Sequence, residues 1–239
     1  MGYKNKLWAI IPARSGSRGL KNKNIIKFLN KPLLVHSINF AKKLKFVDKV
    51  ILSTDSKKYK KIGEKNGAEV PFLRSKKASS SHSMEEDVLE DLRKKLIKND
   101  IMPPDYVLWL RPTCPLRNLN TYYKAYKKFK KLEKSVCIVS QTDPRVFISK
   151  KNVLIPLNQN FKNKSMVRRQ ECKPAFKIFF GEFFKFPKKY DKKFLGRQIN
   201  YVEQDDFCNI DIDTKKQMQL YETIIRLNKK QYEKFLHTS

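Results

Sequence analysis

Between positions 10 and 24 the chain reads "IIPARSGSRGLKNKN": an apolar run breaks into glycine, serine and four cations, Arg14, Arg18, Lys21 and Lys23. Small residues let a backbone turn tightly and aim its amide hydrogens at a guest, and Ser15, Gly16, Ser17 and Gly19 supply them here. A polyanion such as a triphosphate fits that environment; a solvated turn in a lysine-rich chain is the rival reading. The spelling excludes two familiar phosphate loops, since neither G-x-x-x-x-G-K-[ST] nor G-x-G-x-x-G is present. A second stretch, "LRPTCPLR" at 110–117, follows the apolar run "YVLWL". Its two prolines stiffen a loop suited to reading a base, or simply a rigid crossover. Near the other end, "NIDIDT" sets Asp211 and Asp213 two apart. In an extended segment they point the same way, with Cα atoms about 6.6 Å apart, so both can reach one cation. Magnesium keeps water and phosphate oxygens in its shell, so one or two carboxylates suffice. Asp55 and the pair Asp205 and Asp206 are weaker metal candidates, and Asp55 is better placed to cap the helix that follows it.

Those residues need a scaffold that gathers them. Short apolar runs at 7–11, 47–52, 106–110 and 136–139 alternate with helical patterns at 33–44, 57–66, 84–97 and 121–132, and a last helix runs from 214 to about 227 or beyond. Continuous rather than alternating apolarity predicts strands covered on both faces. In the third helix Val88, Leu92 and Leu96 recur four apart, and Ser83 followed by Glu86 resembles a capping box. The alternation predicts a three-layer α/β fold with a mostly parallel sheet. In such a sheet ligands bind beyond the carboxyl ends of the strands, which is where the cation loop and the proline loop fall.

The 239 residues suit one large domain, taken here as 1–239, with 141–190 as an excursion. The formal charge of +30 raises nucleic acid as a partner. Lysine pairs in nearly every segment argue instead for a solvated surface, and no nucleic-acid partner is expected. Four scattered cysteines without a C-x-x-C pair make zinc improbable. No leader is apparent, and no apolar run approaches the ~18 residues a bilayer needs, so the expectation is a cytoplasmic protein without a membrane partner.

Taken in order, "IIPARSGSRGLKNKN", "STDS", "NGAEVPFLR", "LRPTCPLR" and "NIDIDT" resemble the acylneuraminate cytidylyltransferases, the CMP-sialic acid synthetase family. The resemblance implies a Rossmann-like nucleotidyltransferase fold. It implies an enzyme that couples CTP to a 2-keto sugar acid, a sialic-acid-like nonulosonate or a Kdo relative, with Mg²⁺ and release of pyrophosphate. By motif position Arg14, Arg18, Lys23, Asp211 and Asp213 would be catalytic, with Arg18 where relatives usually have lysine and the two aspartates holding the metal. Ala13, Ser15, Gly16, Asn24, Arg74, Arg111, Pro112 and Thr113 would meet the nucleotide, with Arg111 where many relatives carry glutamine. Arg169, Gln170, Phe176 and Phe179 would meet the sugar. A degenerate nucleotide-sugar-binding protein and a basic RNA-binding protein are the alternatives.

The sugar segment departs from the family pattern. Relatives follow the R-Q element with an aromatic residue and then N-G-A, whereas this chain reads "FKIFFGE" from 176, with Phe179 in place of the asparagine. A phenyl ring cannot replace an amide that hydrogen-bonds a hydroxyl, so the expected acceptor departs from common sialic acid, as a deoxy, diamino or 8-amino relative would. Family members are dimers through this excursion. Phe176, Phe179, Phe180, Phe183 and Phe184 offer apolar area for such an interface, or alternatively fill the core.

Overall fold

The computed structural model describes residues 5–17, 19–162 and 164–238. Among the described residues, ten strands and six α-helices follow one another. The strands are β1 (Leu7–Pro12), β2 (Lys27–Phe28), β3 (Lys31–Pro32), β4 (Lys49–Ser53), β5 (Tyr106–Trp109), β6 (Val136–Thr142), β7 (Phe147–Lys150), β8 (Val153–Pro156), β9 (Ala175–Lys185) and β10 (Asn200–Glu203). The helices are α1 (Leu33–Lys43), α2 (Lys57–Lys65), α3 (Glu85–Lys98), α4 (Leu119–Leu132), α5 (Lys215–Leu227) and α6 (Lys229–Thr238).

The main sheet has the order β10-β6-β9-β5-β1-β4. β1 pairs parallel with β4 and β5, β10 pairs parallel with β6, and β9 runs antiparallel between β5 and β6. Five strands therefore share one direction. Their carboxyl ends form one rim, and β9 enters the sheet from that rim.

Alternate residues of β1 show why its apolar run is unbroken. Leu7, Ala9 and Ile11 face a core built with α1 and α4, while Trp8 and Ile10 face a second core built with Val88, Leu89, Leu92 and Leu96 of α3. Helices cover both faces, giving the expected three layers. A third cluster joins Phe28, Leu33 and Leu116 to Ile210, Ile212, Met218 and Ile225, and so clamps the C-terminal segment beside the rim.

Three local expectations are corrected. α2 is capped by Ser56, whose side chain accepts from the Tyr59 amide, not by Asp55. α3 starts one residue later than the Ser83 box implies: the Asp87 carboxylate accepts the Met84 amide, and the Ser83 hydroxyl donates to the Ala78 carbonyl. The excursion at 141–190 is smaller than expected, because β9 returns to the middle of the sheet. Phe180, Phe183 and Phe184 are buried within this chain, the last two on opposite faces, and so offer no interface area. What lies outside the main sheet is the β7–β8 hairpin, with Ile148, Val153, Leu154 and Ile155 exposed.

Candidate active site

The rim carries a cleft of about 720 Å³. Its lining brings together Arg14, Lys23, Asn24, Arg74, Arg111, Pro112, Thr113, Phe179, Asp211 and Asp213. It does not include Ala13, which is fully buried, nor Ser15, Gly16, Phe176, Arg169 or Gln170. Arg18 lies outside the described residues. Arg169 and Gln170 sit on an exposed 3-10 turn, and the Phe176 ring packs on Tyr201 with centroids 4.9 Å apart.

The loop after β1 is held from both sides. The Asp55 carboxylate takes the Ser15 amide on one oxygen and the Ser15 hydroxyl on the other, both at 2.8 Å. That engagement leaves Asp55 as a tie for the loop, and neither it nor Asp205, which accepts the Phe207 amide, lines the cleft. The Asn24 side chain donates to the Arg14 carbonyl at 3.0 Å, and the Arg14 guanidinium donates to the Ser80 carbonyl at 2.6 Å. Gly16 and Gly19 turn without entering the left-handed region. That conformation falls to Asn22, with φ 57°, a residue type that tolerates it.

Ile212 is buried in the third core and its amide donates to the Thr113 carbonyl at 2.8 Å. This fixes Asp211 and Asp213 on either side of it, and both line the cleft. Lys23 Nζ reaches Asp213 Oδ1 at 2.8 Å, so the cation loop and the aspartates meet across one opening. Lys177 Nζ stands 3.2 Å from Asp211 Oδ2. Each carboxylate thus already holds one cation and lines the open cleft, which suits a hard cation that retains water. Among the described residues, no three His, Cys, Asp or Glu side chains converge on a metal position. A cation here would take its remaining ligands from phosphate and water.

Arg74 is half-buried at the edge of the cleft, donating to the Ser53 hydroxyl at 2.8 Å and the Ser53 carbonyl at 2.7 Å. Burial pulls its pKa down to about 10 against the pull of Asp55 and Asp91, so it stays charged at neutral pH. Arg111 is held more firmly. Its Nη1 donates to both oxygens of Glu182 at 2.7 Å, and its Nη2 to Glu85 at 2.9 Å. Burial alone would lower its pKa, but the two carboxylates more than offset that and raise it. Cys114 sits 3.8 Å from Asp211; burial pushes its thiol up to about 12, which leaves no thiolate nucleophile.

Among the described residues, the lining carries five cations, Arg14, Lys23, Arg74, Arg111 and Lys177, against three carboxylates, Glu85, Asp211 and Asp213. The balance favours an anionic guest. Lys177, Glu85 and the supporting Glu182 were not singled out in the sequence. Two signals point to them: Lys177 lies two before Phe179 on one strand, and a lone glutamate inside "FFGEFF" needs a buried partner.

The family model described as Cytidylyltransferase matches residues 8–236. The N-acylneuraminate cytidylyltransferase of Escherichia coli O18:K1:H7 is 31% identical over 235 residues, 92% of this chain and 52% of that protein. A pseudaminic acid cytidylyltransferase of Campylobacter jejuni is 36% identical over 120 residues, 50% of this chain and 51% of its own length. The chain thus spans about half the length of these curated relatives. Among solved structures, a CMP:2-keto-3-deoxy-manno-octonic acid synthetase complexed with CTP superposes with a TM-score of 0.64 at 13% identity, over 93% of this chain and 99% of that one. That likeness shows the Rossmann-like nucleotidyltransferase fold. With its motifs gathered at one rim and the match running nearly end to end, the chain belongs to the cytidylyltransferase family.

Proposed function

We propose that this chain couples CTP to a 2-keto sugar acid, a nonulosonate or a Kdo-like acid, giving a CMP-sugar and pyrophosphate. The observation that carries this reading is the 2.8 Å contact between Lys23 of the cation loop and Asp213, which faces a phosphate cradle onto a carboxylate pair. The two curated relatives named above carry N-acylneuraminate and pseudaminic acid in their names, which supports the acceptor class.

In this reaction the anomeric hydroxyl attacks the α-phosphorus and a new P–O bond forms. The bond from the α-phosphorus to the bridging oxygen breaks, pyrophosphate leaves with the electron pair, and the hydroxyl proton is released to water. Charge grows on the phosphate oxygens, so preorganised cations lower the barrier without a covalent intermediate. Lys23 and Arg14 face those oxygens, Arg74 with Pro112 and Thr113 shapes the nucleoside end, and Lys177 meets an anionic acceptor group. Mg²⁺, held by Asp211 and Asp213, would supply further neutralisation of phosphate charge when bound.

The active form is a homodimer formed through the β7–β8 hairpin, whose exposed Ile148, Val153 and Leu154 suit a second copy of the chain. Arg169 and Gln170, away from their own cleft, then serve the cleft of the neighbouring subunit, where a guanidinium suits the acceptor carboxylate. Four unpaired cysteines suit a reducing compartment, the cytoplasm. Measuring pyrophosphate release with each of the four nucleoside triphosphates and a set of keto-sugar acids tests the reaction. Release with CTP and a keto-sugar acid is expected; release with none of the sixteen or more pairings of such a panel (about four acceptors) would end the proposal.

A further inference from the structure

A second pocket, of about 500 Å³, opens where α1, the end of the proline loop and α6 meet. It shares no lining residue with the cleft. Four cations line it, Lys31, Lys42, Lys43 and Arg117, and among the described residues no carboxylate does. His36, in the same wall, registers that field: burial lowers its pKa most, and the charges of Lys31 and Arg117 lower it further.

Arg117 differs from the other three cations. It is 3% exposed, whereas the lysines are exposed. Its Nη2 donates to the Arg111 carbonyl at 2.6 Å and its Nε to the Tyr122 hydroxyl at 3.1 Å, and that hydroxyl donates to the Phe180 carbonyl at 2.8 Å. Nη1 is buried and, among the described residues, has no hydrogen-bond partner. Every group that Arg117 bonds is thus neutral, and one donor is left over. Arg111, six residues earlier, shows the usual arrangement: its guanidinium pairs with Glu85 and Glu182 and so ties α3 to β9. A buried charge is ordinarily paired and its donors satisfied, so Arg117 lacks the counter-ion that its setting calls for.

We infer that this pocket is a second, noncatalytic site, and that it takes a nucleoside monophosphate. The phosphate gives Arg117 and the lysines at the mouth their counter-charge. Leu29, Phe40, Leu116 and Tyr232 form an apolar wall for a ring body, and the Asn39 amide can both donate to and accept from a base edge. The volume falls within the range of about 300 to 1,000 Å³ that small-molecule sites occupy. With no lining residue in common with the cleft, the site does not depend on the proposed coupling reaction.

The test titrates CMP, and separately inorganic phosphate, into the full chain by calorimetry. The wild-type chain should bind two molecules of CMP, one in the cleft and one in the pocket. A Lys31→Glu, Lys43→Glu double variant should bind one, with affinity at the pocket reduced about tenfold or more. Both lysines are exposed, so this variant folds, as thermal melting checks. Arg117→Gln should lose the same binding event; should it unfold, the lysine variant carries the test alone. A single bound CMP that the lysine variant removes would leave the pocket standing and count against nucleotide binding in the cleft. CMP binding that neither variant changes, or uptake of phosphate without CMP, an adventitious ion only, would overturn the inference.

Discussion

Asp211 and Asp213 differ in what they touch, and a substitution at Asp211 separates chemistry from stability. Its nearest cation, Lys177, is an exposed side chain, so losing the pair changes stability by no more than about 1 kcal/mol. The same carboxylate faces the cleft where phosphate charge must be neutralised. Asp211→Asn keeps the shape and removes the charge, so kcat should fall by about 10²- to 10³-fold while the melting temperature stays near wild type. A variant that melts normally and retains full pyrophosphate release would remove Asp211 from the site. The aspartate pair was legible in the sequence because the i, i+2 spacing of an extended segment puts both on one side, and the buried Ile212 between them sets that alternation. The role of Arg111 was not legible. Its partners Glu85, Glu182 and Phe179 come from α3 and β9, and no local period connects position 111 with 182. Two of the three positions where the sequence departs from the family spelling, Arg111 and Phe179, turn out to be in contact and form one structural unit, while the third, Arg18, lies outside the described residues.

At the scale of elements, β1, β4, β5 and β6 announced themselves by continuous apolarity, since a strand covered on both faces needs no polar alternate. β9 carries the same signal, but its reversed direction and its bulge are set by neighbours distant in sequence, and its apolar run resembles an interface equally well. The packing of α1 against β2 gives this scale its own prediction. His36 Nε2 donates to the Phe28 carbonyl at 2.8 Å, and the two rings meet edge to face. Burial lowers the His36 pKa first of all, and the charges of Lys31 and Arg117 lower it further against the pull of the Phe28 carbonyl. The folded chain therefore favours the neutral ring, while the unfolded chain binds a proton near pH 6.5. Below that value the unfolded state takes up more protons, so this contribution to stability is complete above about pH 6.5 and is lost as pH falls toward the folded pKa. Melting temperatures measured between about pH 7.5 and 5.5 should decline in the wild-type chain and decline less in His36→Gln. Parallel slopes would show that the stability change comes from other groups.

Across the whole molecule, two opposing features govern assembly. The hairpin exposes apolar residues, Leu154 at 68% and Val153 at 61%, that favour a second copy, while a charge of +30 on each chain repels one. Salt screens the repulsion and leaves apolar burial intact, so a dimer held by the hairpin should tighten as ionic strength rises. Sedimentation at low and high salt reads this directly; a fully active dilute monomer would refute the dimer. The placement of Arg169 allows a sharper test. If its guanidinium serves the neighbouring cleft, an Arg169→Ala chain supplies an intact Asp211 but no arginine to its partner, and an Asp211→Asn chain supplies the arginine but no working carboxylate. Each variant alone should be nearly inactive. Mixed in equal amounts and allowed to exchange, half of the dimers become hybrids, and one cleft in each hybrid holds both groups, so about a quarter of wild-type activity should return. Arginine acting on its own cleft predicts a different outcome, because every cleft in the mixture then lacks one of the two groups and activity stays at the level of the separate variants.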